Sequence, residues 1–566
     1  MIGRIVLPCF ALLLATTAAG AERAGERLQG LVSYATGDPE LDALQPILLR
    51  TLEANRKEFP GVTGPVRAFG AGAHYPQVWV RDNATVLPLS RFLCPREYLT
   101  SWIEEHLAHQ DGIGGIYDWI AAGNPAAFRA DSPLAREVGV EGTVLSADRN
   151  SVASDQESSL VLAVTDVYRI TGDRAWLDRS VRGRSVLERT QDALNALLRR
   201  RLDGETGLLV SGLTADWGDV SPRWPDQRAI YLDAVTPRVG SLYASALFSR
   251  AASSLADLLD SLGRRGRAAY WRHHAGRVRA GIESLWQERR GFYRMHGPGP
   301  LGDHSDRFAL GGNAIALTVG AHAETRVMRV MDVAERRRRR YGVSTIAGAL
   351  LPPFPTGFFV HPALRAEWTY QNGGQWDWFG GRLLLAAFRS GEAARARAGL
   401  TDIARKASLN RGLYEWHTRE GEGRGSASYA GSAGALGAAL FEGLFGIDLA
   451  AARLNLTIRL AERSGHIRLQ EAATGTWVAY RYDAGGGARR LRLEYESNHP
   501  GTGRVALLLP SGRRLVAVRR DGRPVPYERS RVGRDEYVAI ETDYRPHVVE
   551  ATCEIVGRPF PPRIVE

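Results

Sequence analysis

Up to about Phe445, two kinds of helix-period stretch alternate along this chain. One kind is apolar nearly all round and rich in Gly and Ala, as in Leu383 to Phe388 (LLLAAF) and Ala430 to Leu440 (AGSAGALGAAL). The other is amphipathic and carries the arginines and glutamates. A helix apolar on every side must be buried, and an amphipathic one can cover it. About twelve helices are expected. Outer members start near Pro39, Arg96, Arg174, Arg264, Glu324 and Glu392. Inner members start near Asn83, Glu157, Pro237, Gly311, Gly373 and Tyr429. This pairing predicts six helical hairpins in two concentric layers, a mainly α fold closing as an (α/α)6 barrel over residues 30–447.

After Ile447 the period changes to two. Arg490 to Glu496 (RLRLEYE) alternates strictly, and further strands are expected at 454–460, 477–482, 505–509, 515–518, 537–540 and 548–555. Turn signals at Gly485 to Gly487, Pro510 to Gly512 and Asp521-Gly522 separate them. Residues 452–566 therefore read as a small C-terminal β-sandwich without a catalytic cluster.

The first 21 residues read as a signal peptide: Arg4, an apolar run from Ile5 to Ala15, and the small-residue site Ala19-Gly20-Ala21. Export to the periplasm or outside the cell is expected, with no membrane insertion. The formal charge of +11 invites a nucleic-acid reading. Against it, the basic residues are nearly all arginine, with lysine at Lys57 and Lys406 alone. The run Glu335 to Arg340 (ERRRRR) falls on an outer helix and reads as a solvated face, so no nucleic-acid partner is expected. Cys94 and Cys553 fall in different expected domains; an exported protein permits a disulfide between them, and two buried free thiols is the simpler reading. No zinc spacing is present, and neither metal nor cofactor is expected. A monomer is expected.

The loops before the inner helices carry the chemistry. They are Trp79 to Asn83 (WVRDN), Ser154 to Ser158 (SDQES), Ala215 to Trp224 (ADWGDVSPRW), Tyr370 to Trp378 (YQNGGQWDW) and Tyr414 to His417 (YEWH). Each follows an outer helix and precedes an inner one, so all are expected at one end of the barrel. Carboxylates move protons, and flat indoles stack on sugar rings. In the third loop Asp216 and Asp219 stand beside Trp217, Arg223 and Trp224. An indole wall and a neighbouring carboxylate raise a carboxyl pKa, as a general acid requires. Glu415, in the loop opposite by six-fold count, is placed to serve as general base. Trp79, Arg81, Asp82, Asn372, Gln375, Trp376, Asp377 and Trp416 offer hydroxyl recognition and stacking. Asp155 and Glu157 read equally as helix-capping acids.

These motifs resemble the six-hairpin glycosidases. Asp219-Val-Ser-Pro-Arg223-Trp224 is similar to the acid-bearing segment of trehalases and the processing α-glucosidase I family, which implies Asp219 as the acid. Gln375-Trp376-Asp377 is similar to part of a trehalase signature, Tyr370 to Gly374 to the Tyr-His-Asn-Gly-Gly of alkaline invertases, and Trp79 to Asp82 to the Trp-x-Arg-Asp of glucoamylases. Glu415 sits where these families place the base. The full trehalase signatures and the glucoamylase Glu-Glu pair are absent.

The resemblance implies an inverting hydrolase acting on an α-linked, gluco-configured oligosaccharide or glycoside. Three alternatives stand beside it. One is a phosphorylase using His417, Arg419, Ser426 and Ser428 to hold phosphate. The others are a polysaccharide lyase and a carbohydrate-binding protein without turnover.

Overall fold

The computed structural model describes residues 31–123, 135–138, 144–148, 153–220, 222, 236–299, 301–319 and 323–555. The expected signal segment lies outside these residues, as do Arg223 and Trp224 of the third loop.

Among the described residues, twelve helices of seven or more residues alternate between two layers. The outer ones are α1 (Leu44–Ala54), α3 (Glu97–Ala108), α5 (Val186–Arg200), α7 (Arg265–Glu283), α9 (Ala323–Tyr341) and α11 (Ala393–Leu409). The inner ones are α2 (Val80–Ser90), α4 (Gln156–Thr171), α6 (Leu242–Ser261), α8 (Leu310–Ala316), α10 (Asp377–Arg389) and α12 (Ala430–Ala438). Each inner helix packs on the next, and α12 returns to pack on α2, so the six form a closed ring. The outer helices lie against them.

Composition explains the layering. Every residue of α12 is buried, and its glycines allow neighbouring backbones to touch. A Cβ on Gly434 would lie 2.3 Å from the Thr85 carbonyl oxygen of α2, a contact no side chain tolerates. On the outer helix α5, by contrast, Val186, Leu187, Ala193, Leu194 and Leu197 are buried on one face while Arg199 and Arg200 end the helix. Ser185 and Glu188 form a capping box at its start.

The arginine run on α9 departs from a simple solvated face. Arg337 donates to the Asp306 and Leu351 carbonyls, and Arg338 donates to the Ser344 carbonyl at 2.7 Å and pairs with Asp402. Arg339 and Arg340 are exposed. The third outer helix also starts later than its period suggests. A short helical turn (Arg174–Asp178) capped by Asp173 and a tight hairpin at 180–185 intervene.

Strands Val78–Trp79, Arg238–Ser241 and Phe308–Ala309 run straight into inner helices α2, α6 and α8. Such elbows hold the residue at the helix start rigidly.

The C-terminal part forms two sheets. One has five strands, with Arg453–Ile458 and Thr502–Leu508 paired in parallel. The other has seven. Its edge is a strand from the opposite end of the chain: Val32–Ala35 pairs antiparallel with Gly465–Gln470. That four-residue segment is too short to signal itself by period. Cys94 and Cys553 are buried, free thiols.

Helical and sheet parts are joined by buried polar contacts. Arg91, just past α2, donates to the Leu449 carbonyl at 2.8 Å and pairs with Glu471, and both side chains are almost fully buried. Burial pushes the Arg91 guanidinium down to about 9. Asp535 accepts a hydrogen bond from Ala393 N at the start of α11. An unpaired charge in such a place is costly, so Arg91→Met is expected to destabilise the fold by about 3–5 kcal/mol. Denaturant unfolding followed by far-UV circular dichroism checks this.

Candidate active site

One cleft at an end of the helical ring gathers residues from across the chain. Ala71, Tyr75, Trp79, Arg81, Asp82, Trp217, Asp219, Tyr370, Gln371, Trp376, Trp378, Glu415 and Tyr429 line it.

Glu415 lies on strand Tyr414–His417, which pairs with Gly423–Ala427 through an irregularity between Tyr414 and Trp416. Its carboxylate is held from three sides. Oε1 accepts hydrogen bonds from the Tyr75 hydroxyl at 2.9 Å and the Tyr370 hydroxyl at 3.1 Å. Oε2 accepts from Ser426 N at 3.0 Å. Gly425, at φ +71°, is needed here, because a Cβ would lie 2.5 Å from Oε2. Burial raises the Glu415 pKa, the three donors oppose that, and the Asp219 charge adds to the rise. Three donors to one carboxylate favour its anionic form.

Asp219 differs. Among the described residues its side chain accepts a long contact from Gln371 Nε2 at 3.4 Å and a hydrogen bond from its own backbone N–H. Burial raises its pKa, opposed mainly by the charge of Arg81. With few donors to favour the anion, it is the carboxyl of the two better suited to keep a proton.

Asp216 sets the loop rather than lining the cleft. Its backbone is left-handed at φ +59°, a conformation Asp tolerates. Its carboxylate accepts from Gly311 N at 2.6 Å and Gly312 N at 3.0 Å at the start of α8. Burial pushes its pKa up to about 7 against those donors. Seated there, Asp216 turns Trp217 into the cleft. Trp217 meets Trp376 edge-on with centroids 5.3 Å apart and packs on Phe379.

Arg81 and Asp82 begin α2. Arg81 donates to Asp118 at 3.1 Å and Asp155 at 3.2 Å. Although burial opposes its charge, those two carboxylates hold it firmly protonated. Asp82 is 4% exposed, and its Oδ1 has no hydrogen-bond partner among the described residues. Burial pushes its pKa up to about 6, against Arg81 and a hydrogen bond from Tyr429. A buried acceptor without a partner, in a residue that lines a cleft, is a place for a ligand hydroxyl.

Several residues named from the sequence do not line this cleft. Asn372 is sealed and knits a turn, donating to the Phe354 and Leu364 carbonyls at 3.1 Å and accepting Phe354 N at 2.8 Å. Gln375 is fully buried, bonded to Thr345, Thr418 and Arg419. Asp377 is fully buried and paired with Lys406. Trp416 is half-buried beside Tyr370, off the lining. Glu157 accepts Ile116 N at 3.2 Å at the start of α4. These amides and acids fit hydroxyl recognition by type, but strand and turn geometry aims them inward.

Sequence reasoning left other residues without a role. Tyr75, Gln371 and Tyr429 line the cleft, and Tyr370 contributes its hydroxyl. Tyr75 stands four residues before Trp79, and Tyr429 is the N-cap of α12. That nearness to inner-helix starts was the available signal. Among the described residues, no group of three or more His, Cys, Asp or Glu is arranged to hold a metal.

No protein-family model and no curated protein matches the sequence. Solved structures do. An alpha-L-rhamnosidase from Dictyoglumus thermophilum is similar with a TM-score of 0.60 at 11% identity, over 92% of this chain and 50% of that one. A GH78 family rhamnosidase of a Bacillus species gives 0.55 at 16% identity, over 85% of this chain and 43% of that one. A GH63 mannosylglycerate hydrolase from Thermus thermophilus gives 0.48 at 17% identity, over 69% of this chain and 98% of that one. At these identities the likeness shows a fold shared with the two rhamnosidases. The chain spans about half the length of the rhamnosidases it matches.

The raised Asp82 carboxyl has a consequence for stability. A folded-state pKa near 6, against an ordinary value of 3.8, means the folded state holds its proton more tightly. Stability is therefore lost as pH rises from about 4 through 6. Asp82→Asn removes this penalty and is expected to gain on the order of 2–3 kcal/mol relative to wild type between pH 4 and pH 8. Guanidinium unfolding at the two pH values measures it.

Proposed function

We propose that this protein is an inverting glycoside hydrolase acting on an α-linked, gluco-configured oligosaccharide or glycoside. The observation that carries the reading is the contrast between two carboxyls in one aromatic cleft. Among the described residues Glu415 is clamped by three donors, whereas Asp219 meets a long contact from Gln371 and its own backbone N–H. In the reaction, protonated Asp219 gives its proton to the glycosidic oxygen as the bond to the anomeric carbon breaks. Glu415 takes a proton from the water that attacks that carbon from the opposite face. Asp219 ends as the anion and Glu415 as the neutral acid, and proton exchange with bulk water returns both to their starting states. Inversion requires the carboxyls about 6.5–9.5 Å apart, leaving room for that water.

Trp79, Trp217, Trp376 and Trp378 would frame the sugar ring, and the open Asp82 oxygen would accept a hydroxyl. The lining holds three carboxyls, and its cation Arg81 is spent on Asp118 and Asp155. Such a cleft suits a neutral sugar. The hydrolytic reading is also favoured over phosphorolysis by the fate of the phosphate candidates. His417 is fully buried, and Ser426 is engaged with Glu415 and with His74 N.

The double helical ring, as an (α/α)6 barrel over 30–447 followed by a β-sandwich over 452–566, belongs to the same proposal. So do export through residues 1–21, a monomeric state, and sugar contacts from Arg223 and Trp224.

A panel of disaccharides and nitrophenyl glycosides, with and without phosphate, tests the activity. Glu415→Gln is expected to abolish hydrolysis while ligand affinity, read by calorimetry, stays within a few-fold, because only the basic oxygen is removed. Asp219→Asn is expected to cut kcat by about 10²–10⁴-fold. Near wild-type rates in either variant would overturn the assignment.

The tyrosines give a pH signature. Donors to a carboxylate lower its pKa, so Tyr75→Phe and Tyr370→Phe should each raise that of Glu415. Since the base acts deprotonated, the acidic limb of the kcat/KM profile should move to higher pH in both variants.

A further inference from the structure

Lys57 and Lys406 are the lysines in a chain with 73 basic residues. Lys406 lies on outer helix α11, is 5% exposed, and donates from Nζ to Asp377 Oδ1 at 2.6 Å. Asp377 is the first residue of inner helix α10 and is fully buried. The His417 ring is also fully buried, with Nδ1 3.8 Å from Asp377 Oδ2. Burial and the Lys406 charge push His417 down to about 3, and burial lowers Lys406 too, opposed by the Asp377 carboxylate it pairs with. A slim ammonium suits this space where the wide guanidinium fork would not. None of the three residues lines the cleft, yet His417 shares a four-residue strand with Glu415.

Attachments converge on that strand. Gln375 N donates to the His417 carbonyl and His417 N donates back to Gln375 O, each at 2.9 Å. Gln375 Nε2 donates to the carbonyls of Thr418 at 2.6 Å and Arg419 at 3.1 Å. Asn410, one turn beyond Lys406, donates to the Gly421 carbonyl at 2.9 Å and accepts Gly423 N at 2.8 Å. The end of α11 and the segment entering α10 therefore both grip the hairpin that carries Glu415, and the Lys406–Asp377 pair ties those two elements together.

We propose that the Lys406–Asp377 ion pair is a positioning device that locks α11 to the start of α10 behind the 414–427 hairpin and so fixes where the Glu415 carboxylate stands in the cleft. The inference rests on Glu415 being the base. A displacement of about 1 Å in a reacting group can cost on the order of 100-fold in rate.

Removing one partner strands a buried charge and can unfold the chain. The test is therefore the double variant Lys406→Met/Asp377→Leu, in which both charges are replaced by apolar groups, an exchange often neutral or stabilising. Lys406→Arg is the second variant, keeping the charge while widening its head. In whichever variant melts at or above the wild-type temperature, kcat is expected to fall about 10- to 100-fold with KM within about threefold. Its crystal structure should show Glu415 drawn off the Tyr75 and Tyr370 hydroxyls. Wild-type kcat with Glu415 in its place, in either folded variant, overturns the proposal. Should the wild-type protein hydrolyse no glycoside at all, the functional reading fails by itself, and the position of Glu415 in the variant crystal still decides this inference.

Discussion

The packing of the last inner helix on the first is the contact on which the rest of the molecule depends. It joins residues near 434 to residues near 85 through a backbone approach that glycine alone allows. Without it the helices would be a row of hairpins, each with an uncovered apolar face. With it, Tyr75 from one end of the helical part reaches Glu415 from the other, and Tyr429 reaches Asp82. The cleft is a product of closure, because no sequence-local segment holds more than a few of its residues.

Charge in this molecule follows the same geometry. Carboxyls at the ring's end are raised by burial, and what separates them is the number of donors each meets. Asp216 meets two helix-start amides and serves the loop. Glu415 meets two phenols and an amide, and Asp219, among the described residues, meets a distant carboxamide and its own backbone N–H. Arg81 stays charged because two further acids, Asp118 and Asp155, enclose it. Among the described residues the cleft thus keeps several carboxyls close together without a compensating free cation in its lining. That arrangement costs folding stability at neutral pH and leaves polar atoms open to a ligand.

Much of the architecture was readable before any coordinate. A helix that is Gly- and Ala-rich on every side has one place to go, and the observed inner helices begin within a few residues of the expected starts, except where a strand such as Arg238–Ser241 delays them. The loops that carry Trp79, Asp82, Trp217, Asp219, Trp376 and Glu415 do share one cleft. Residue type within those loops did not say which side chains reach the cleft. Asn372, Gln375 and Asp377 have the chemistry of sugar ligands, but they spend it on backbone and on Lys406. The neighbouring Trp376 faces the cleft, and a shift of one residue along an extended segment reverses the side it presents.

Period and composition by themselves determined the helical layers, the change to strands after residue 447 and the end of the fold where acids and indoles collect, because burial patterns repeat locally and are written in the residues that obey them. The tertiary structure alone decided which oxygen of which acid meets a donor, that the first strand at 32–35 closes the C-terminal sheet, and that a rare lysine lies sealed behind the Glu415 strand. Those outcomes depend on distances between residues tens to hundreds of positions apart. No local pattern encodes such distances, since they are set when the ring of helices closes.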